Sequence, residues 1–165
     1  MKKADLDKML FVAVVEREVN AVRRALNDGA SASQMVAGDR NTVSHTQVPL
    51  LAIAAFTGNA RVVELLLDAG AEIEWTCSDL RFSPISDDEI EVDSGTALAI
   101  AAKAGHEEIV RLLLERGADP SGPYPLCFAA KAGHLPIVQA LVEAGASPCH
   151  RNGDSHTPMY FAAKG

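Results

Sequence analysis

Aromatic side chains are scarce in this sequence. One Trp, two Tyr and five Phe amount to 5% of 165 residues. A core this poor in rings suits alanine and leucine packed in a helical array. Cysteine is sparse too: Cys77, Cys127 and Cys149 are odd in number and far apart. That spacing argues against a disulfide framework and fits a reducing compartment. No apolar run approaches the roughly 20 residues that cross a bilayer as a helix. Lys2 and Lys3 are followed by Asp5, Asp7 and Lys8, and the apolar run from Met9 to Val15 ends at Glu16. No secretory leader is therefore expected, and an intracellular, cytoplasmic location is. Positive charge is in deficit, with 15 Lys and Arg against 22 Asp and Glu, a net charge of −7. This disfavours nucleic acid and anionic membrane as partners. The signatures of catalysis are missing as well: no G-x-S-x-G, no phosphate-binding glycine loop, no H-E-x-x-H. Neither enzyme activity nor a cofactor is expected.

What the sequence does have is one pattern, clearest from Thr96 to Ala118: TALAIAAKAGHEEIVRLLLERGA. Leu98, Ala101 and Ala102 fall at i, i+3, i+4, on one face of a short helix. Its alanines allow a neighbouring helix close approach. Gly105 breaks the pattern, and a second helix follows. There Ile109 with Leu113 and Val110 with Leu114 form i, i+4 pairs, and Leu112 widens the apolar stripe. Glu107 and Glu108 sit in the first turn and Arg116 in the last, as the helix dipole prefers. Gly117 is the stop. Helices this short are marginal alone, so the stretch needs copies of itself on both sides.

The copies are present. LCFAAKAGHLPIVQALVEAGA runs from Leu126 to Ala146, LAIAAFTGNARVVELLLDAGA from Leu51 to Ala71, and MYFAAKG from Met159 to Gly165. A degenerate copy, LFVAVVEREVNAVRRALNDGA, runs from Leu10 to Ala30. The openings Thr96-Ala97-Leu98, Tyr124-Pro125-Leu126 and Thr157-Pro158-Met159, the pairs Gly105-His106 and Gly133-His134, and the closing Gly-Ala all resemble the ankyrin repeat. That resemblance implies an all-α solenoid of paired antiparallel helices with β-hairpin or loop fingers, about four and a half repeats in a single domain over residues 1–165.

Residues 1–33 read as an N-terminal capping repeat, since charges such as Glu16, Arg17, Arg23 and Arg24 suit a polar outer face. Residues 34–48 are an inserted loop, expected as an extended finger, and 49–74 form repeat 2. From Gly29 to Gly70 is 41 residues, against a usual period of about 33. Residues 75–93 are a second, acidic insertion before repeat 3 (94–119). Six acids and the single base Arg81 give it a net charge of −5. Its interleaved apolar residues predict partial order, with Trp75 or Phe82 docked on the array. Repeat 4 (120–148) begins with a short link, because Gly117 to Gly145 is only 28 residues. Pro120, Pro123 and Pro125 disfavour a hairpin there, so the row of fingers should have a gap beside Tyr124. Residues 149–165 are a partial fifth repeat, read as the edge of a longer repeat protein.

The resemblance implies that the two residues after each alanine pair lie on the concave face and contact partners. Here they are Phe56-Thr57, Lys103-Ala104, Lys131-Ala132 and Lys164-Gly165, so Phe56 is followed by a ladder of three lysines. With packed helices about 8–10 Å apart, these form one stripe. Candidate partner-binding residues are therefore Phe56, Thr57, Trp75, Phe82, Lys103, Tyr124, Lys131 and Lys164. The acids of the second insertion, Asp87, Asp88 and Glu89, could reach the lysines as a weak internal ligand or point away as a finger. His106 and His134 hold a position that is structural in the family. Cys149, His150 and His156 lack tight zinc-ligand spacing, and the acidic run lacks the alternating calcium-loop pattern, so no metal site is expected. No asparagine follows the Gly-Ala pairs, so hydroxylation at these junctions is not expected either.

The function expected is non-enzymatic binding of another protein by a monomer, through the concave helix face and the extended fingers, with an acidic or phosphorylated segment as the ligand. The alternative is a targeting or substrate-recruiting module of a larger enzyme or secreted effector whose catalytic domain lies outside this chain.

Overall fold

The computed structural model describes residues 2–33, 35–37, 47–81, 91–122 and 124–148. Eight described helices come in pairs. They are α1 (Lys3–Val15) with α2 (Val19–Asn27), α3 (Leu50–Thr57) with α4 (Ala60–Asp68), α5 (Ala97–Ala104) with α6 (Glu107–Glu115), and α7 (Pro125–Lys131) with α8 (Leu135–Glu143). The first members stack as one row and the second members as another. The result is the all-α solenoid that the repeats predict.

The two rows are buried differently. The outer helix α6 buries a stripe, Ile109, Val110 and Leu113, and leaves its other side wet. Leu113 is 0% exposed, as its i, i+4 pairing requires. The inner helix α5 buries Ala97 through Ala102 on all sides. One apolar face was expected there. The difference follows from position, because α5 is flanked by α3, α7 and its own partner α6. Alanine is what lets the row close up, since a larger side chain would push neighbouring helices apart.

Repeats are keyed together at the turn between their helices. Gly58 and Gly105 end α3 and α5 at φ +80, a left-handed conformation that costs an L-residue roughly 1–2 kcal/mol. Space forbids a side chain as well. A Cβ on Gly58 would meet His106 Cε1 at 2.5 Å, and one on Gly105 would meet His134 Cε1 at 2.7 Å. Each ring lies over the glycine of the preceding repeat. His106 Nε2 is 3.0 Å from the Phe56 carbonyl oxygen. A carbonyl can only accept, so that nitrogen carries the proton. The structural role implied for His106 is therefore observed.

The first seam is built otherwise. Arg17 occupies the glycine place at φ +63, and Asn59 stands where later repeats have His. Asn59 Nδ2 donates to the Arg17 carbonyl at 3.2 Å, while its Oδ1 accepts from Val62 N–H at 3.3 Å and caps α4. The Arg17 guanidinium donates to the Thr57 carbonyl. The charged Arg17, read as part of a polar cap, thus also joins repeats. The cap is less polar than expected: Met9 is 54% and Val12 48% exposed on α1.

Two fingers project from the array. Strand β1 (Met35–Ala37) pairs antiparallel with β2 (Gln47–Pro49), with Val36 opposite Val48. Strand β3 (Cys77–Arg81) pairs antiparallel with β4 (Glu91–Gly95), with Leu80 opposite Val92. The second insertion is thus ordered at its base as a hairpin. Strand β3 packs beside β2, and β4 packs against α5. Between α6 and α7 there is no strand among the described residues.

Candidate partner-binding surface

The structure separates the eight candidate residues. Phe82 and Lys164 lie outside the described residues, as do Asp87, Asp88 and Glu89. Phe56 is half-buried and packs against the core. Thr57 is turned inward, since its Oγ1 donates to the Ala54 carbonyl at 3.0 Å, closing the end of α3. Trp75 is 36% exposed, and Phe82, the other side chain expected to dock, lies outside the described residues.

Lys103 and Tyr124 come together around a residue the sequence did not single out, Phe128. Helix α7 follows Tyr124 directly, which puts Tyr124 and Phe128 at i, i+4 on one face. Their ring centroids are 5.5 Å apart at an interplanar angle of 26°. The Lys103 ammonium sits 5.6 Å from the Phe128 centroid. That is within the range where the negative face of a ring attracts a cation, worth about 0.5–1 kcal/mol at exposed sites. The lysine therefore rests on a fixed aromatic platform. Lys131 is exposed at the end of the same helix. The signal available in the sequence was the i, i+4 spacing of the two rings.

Beside this platform a cavity of about 290 Å³ opens where the third finger would stand. Ala99, Tyr124 and Pro125 line it together with Thr76, Thr96, Glu74 and Asp119. It lies beside Tyr124, where the 28-residue step predicts a notch. Both carboxylates are held: Glu74 Oε1 accepts from Asp119 N–H at 2.9 Å, and Asp119 Oδ1 accepts from Ser121 N–H at 2.8 Å.

On the outer helices, charges answer one another. Arg116 was read as a dipole partner in the last turn of α6. It follows the helix as its cap and reaches back to Asp68 at 2.7 Å and Glu64 at 3.7 Å. Arg111 pairs with Glu107 at 3.0 Å. Exposed pairs of this kind are worth about 0–1 kcal/mol. Cys127 is buried, and burial pushes its thiol up from the ordinary value. A raised thiol is a poor nucleophile at neutral pH. Among the described residues no cluster of His, Cys, Asp and Glu could hold a metal ion, and no helix is long and apolar enough to cross a membrane.

Stacked helix pairs with finger hairpins between them are the architecture of a repeat solenoid. The family model for ankyrin repeats in three copies matches residues 98–165, and that for a single ankyrin repeat matches 47–77. Together they span more than half the chain, which belongs to the ankyrin repeat family. Domains of this family are generally protein–protein interaction modules and typically non-catalytic. No curated protein matches the chain significantly.

Proposed function

We propose that this chain binds an acidic or phosphorylated segment of another protein across the ends of its inner helices. The observation that carries this reading is the Lys103–Phe128–Tyr124 platform with Lys131 beside it. A lysine held over a ring has already lost part of its freedom, so ordering it against a ligand costs less. Lysines in successive repeats meet successive charges along an extended segment, and Phe56 offers an apolar end to the row. Several weak contacts add where one would not hold. Trp75 and the fingers flank the row and supply further contact area.

The test is titration of the chain with a phosphoserine-containing acidic peptide, followed by calorimetry at two salt concentrations. Lys103→Ala with Lys131→Ala should weaken binding at least about tenfold, and salt should weaken the wild-type complex, since exposed charges are screened beyond about 8 Å at physiological ionic strength. Equal affinity for the double variant would remove the row from the account.

A further inference from the structure

The gap in the finger row is a site in its own right. Strand β3 lies beside β2, which leaves β4 on the far side of its hairpin. Among the described residues no strand pairs with the outer edge of β4. A repeat of usual length would set another finger there, but the link to α7 runs in turns instead. An edge strand offers a row of N–H and C=O groups to any extended chain. The cavity opens at the foot of this edge, where Gly95 ends β4 and lines it. Ala99, Tyr124 and Pro125 line it beside Thr76, Thr96 and two carboxylates, and none of the residues lining it is a lysine or arginine. The carboxylates of Glu74 and Asp119 are fixed by backbone N–H donors.

We propose that an extended basic segment of a partner protein adds as a strand along Glu91–Ser94, takes the place of the missing finger, and seats one apolar side chain in the cavity. Main-chain pairing supplies affinity in this mode of recognition, and the pocket supplies selectivity. The concentration of acid around the gap selects against the acidic ligand of the lysine row and for a cationic one. The two sites share Tyr124 but take opposite charges.

The probes are a fluorescein-labelled Lys-Val-Lys-Leu-Lys-Val-Lys peptide, its Glu-for-Lys counterpart, and a version of the basic peptide N-methylated at alternate residues. Anisotropy is read against the full chain. The basic peptide should bind saturably and at least about tenfold tighter than the acidic one, and N-methylation should cost at least about tenfold, because it removes the donors that pair with a strand edge. Gly122→Phe should plug the cavity. A Cβ at Gly122 would first meet Pro125 Cδ at 3.7 Å, an ordinary contact, so the variant has room to fold. It should lose at least about tenfold in affinity, as filling an anchor pocket does. Five residues inserted after Ser121 provide a second variant with the same expected loss. Glu74→Gln keeps an oxygen for Asp119 N–H and should flatten the salt dependence. Absence of saturable binding overturns the proposal. So does equal binding of the methylated peptide, which would mean charge attraction alone, or wild-type affinity in folded Gly122→Phe. Lys103→Ala with Lys131→Ala should leave the basic peptide unaffected, so failure here and failure of the lysine row are told apart.

Discussion

The helical rows and the finger row of this molecule obey different rules. Along the helices every repeat solves one packing problem, and the same residue types recur at the same places. Leu66, Leu113 and Leu141 are each fully buried in successive outer helices. Along the fingers nothing recurs. One hairpin stands on a 41-residue step, a second on a 47-residue step, and the 28-residue step has none among the described residues. Packing constrains the first set because each helix must fit its neighbours on both sides. The fingers touch little, so their length is free to serve a partner. Stability should therefore reside in the rows and discrimination in the fingers.

Leu113→Ala attacks the rows and should show the largest effect. Removing a fully buried leucine side chain costs about 2–5 kcal/mol, read as a shift in the urea midpoint. A loss under about 1 kcal/mol would mean that the core tolerates cavities and that the contrast is weaker than drawn. Gly58→Ala comes next. It forces a left-handed backbone on an L-residue and drives a Cβ into His106, so a loss of about 2–3 kcal/mol is expected from strain plus a displaced hydrogen bond. His106→Ala should relieve the clash, and the double variant should lose less than the sum of the singles.

Five residues inserted after Ser121 attack the fingers. Chain closure grows slowly with length, so unfolding free energy should move by less than about 0.6 kcal/mol while peptide binding changes. A large drop in melting temperature would show that the short link braces the helices. Lys103→Ala should also have a small effect on stability. An unremarkable exposed lysine would be neutral, but the Phe128 contact raises the expected loss to about 0.5–1 kcal/mol. Thermal unfolding of Phe128→Leu with and without Lys103→Ala isolates that contact.

The contrast also explains what could be read from the residues alone. Helix positions, the buried Leu113, the structural His106, the hairpin bases and the gap at Pro120 to Pro125 follow from spacing within a repeat or from the length between repeats. Both are printed in the chain. The exceptions are contacts between repeats. Lys103 reaches Phe128 of the next repeat, Arg116 reaches Asp68 of the previous one, and Asp119 meets Glu74 across 45 residues. Spacing says nothing about such partners until the stacking is known. The apolar flank of the cap, Met9 and Val12, escaped notice because the surrounding charges dominate its composition.

The seams impose a grammar on the order of the repeats. A repeat that brings a histidine must follow one that ends its inner helix in glycine, since any Cβ there falls within the imidazole. A repeat that offers Arg17 instead is followed by one with the smaller asparagine. Repeats 2 and 3 both offer glycine, so either can stand before a histidine-bearing successor. Repeat 1 cannot, so it must be followed by a repeat with a residue as small as asparagine there, independently of its polarity. A chain whose repeat 1 is joined directly to repeat 3, bringing Arg17 under His106, should melt well below one in which Arg17 has been changed to Gly at that junction. Equal melting would show that the order of repeats is unconstrained at this turn.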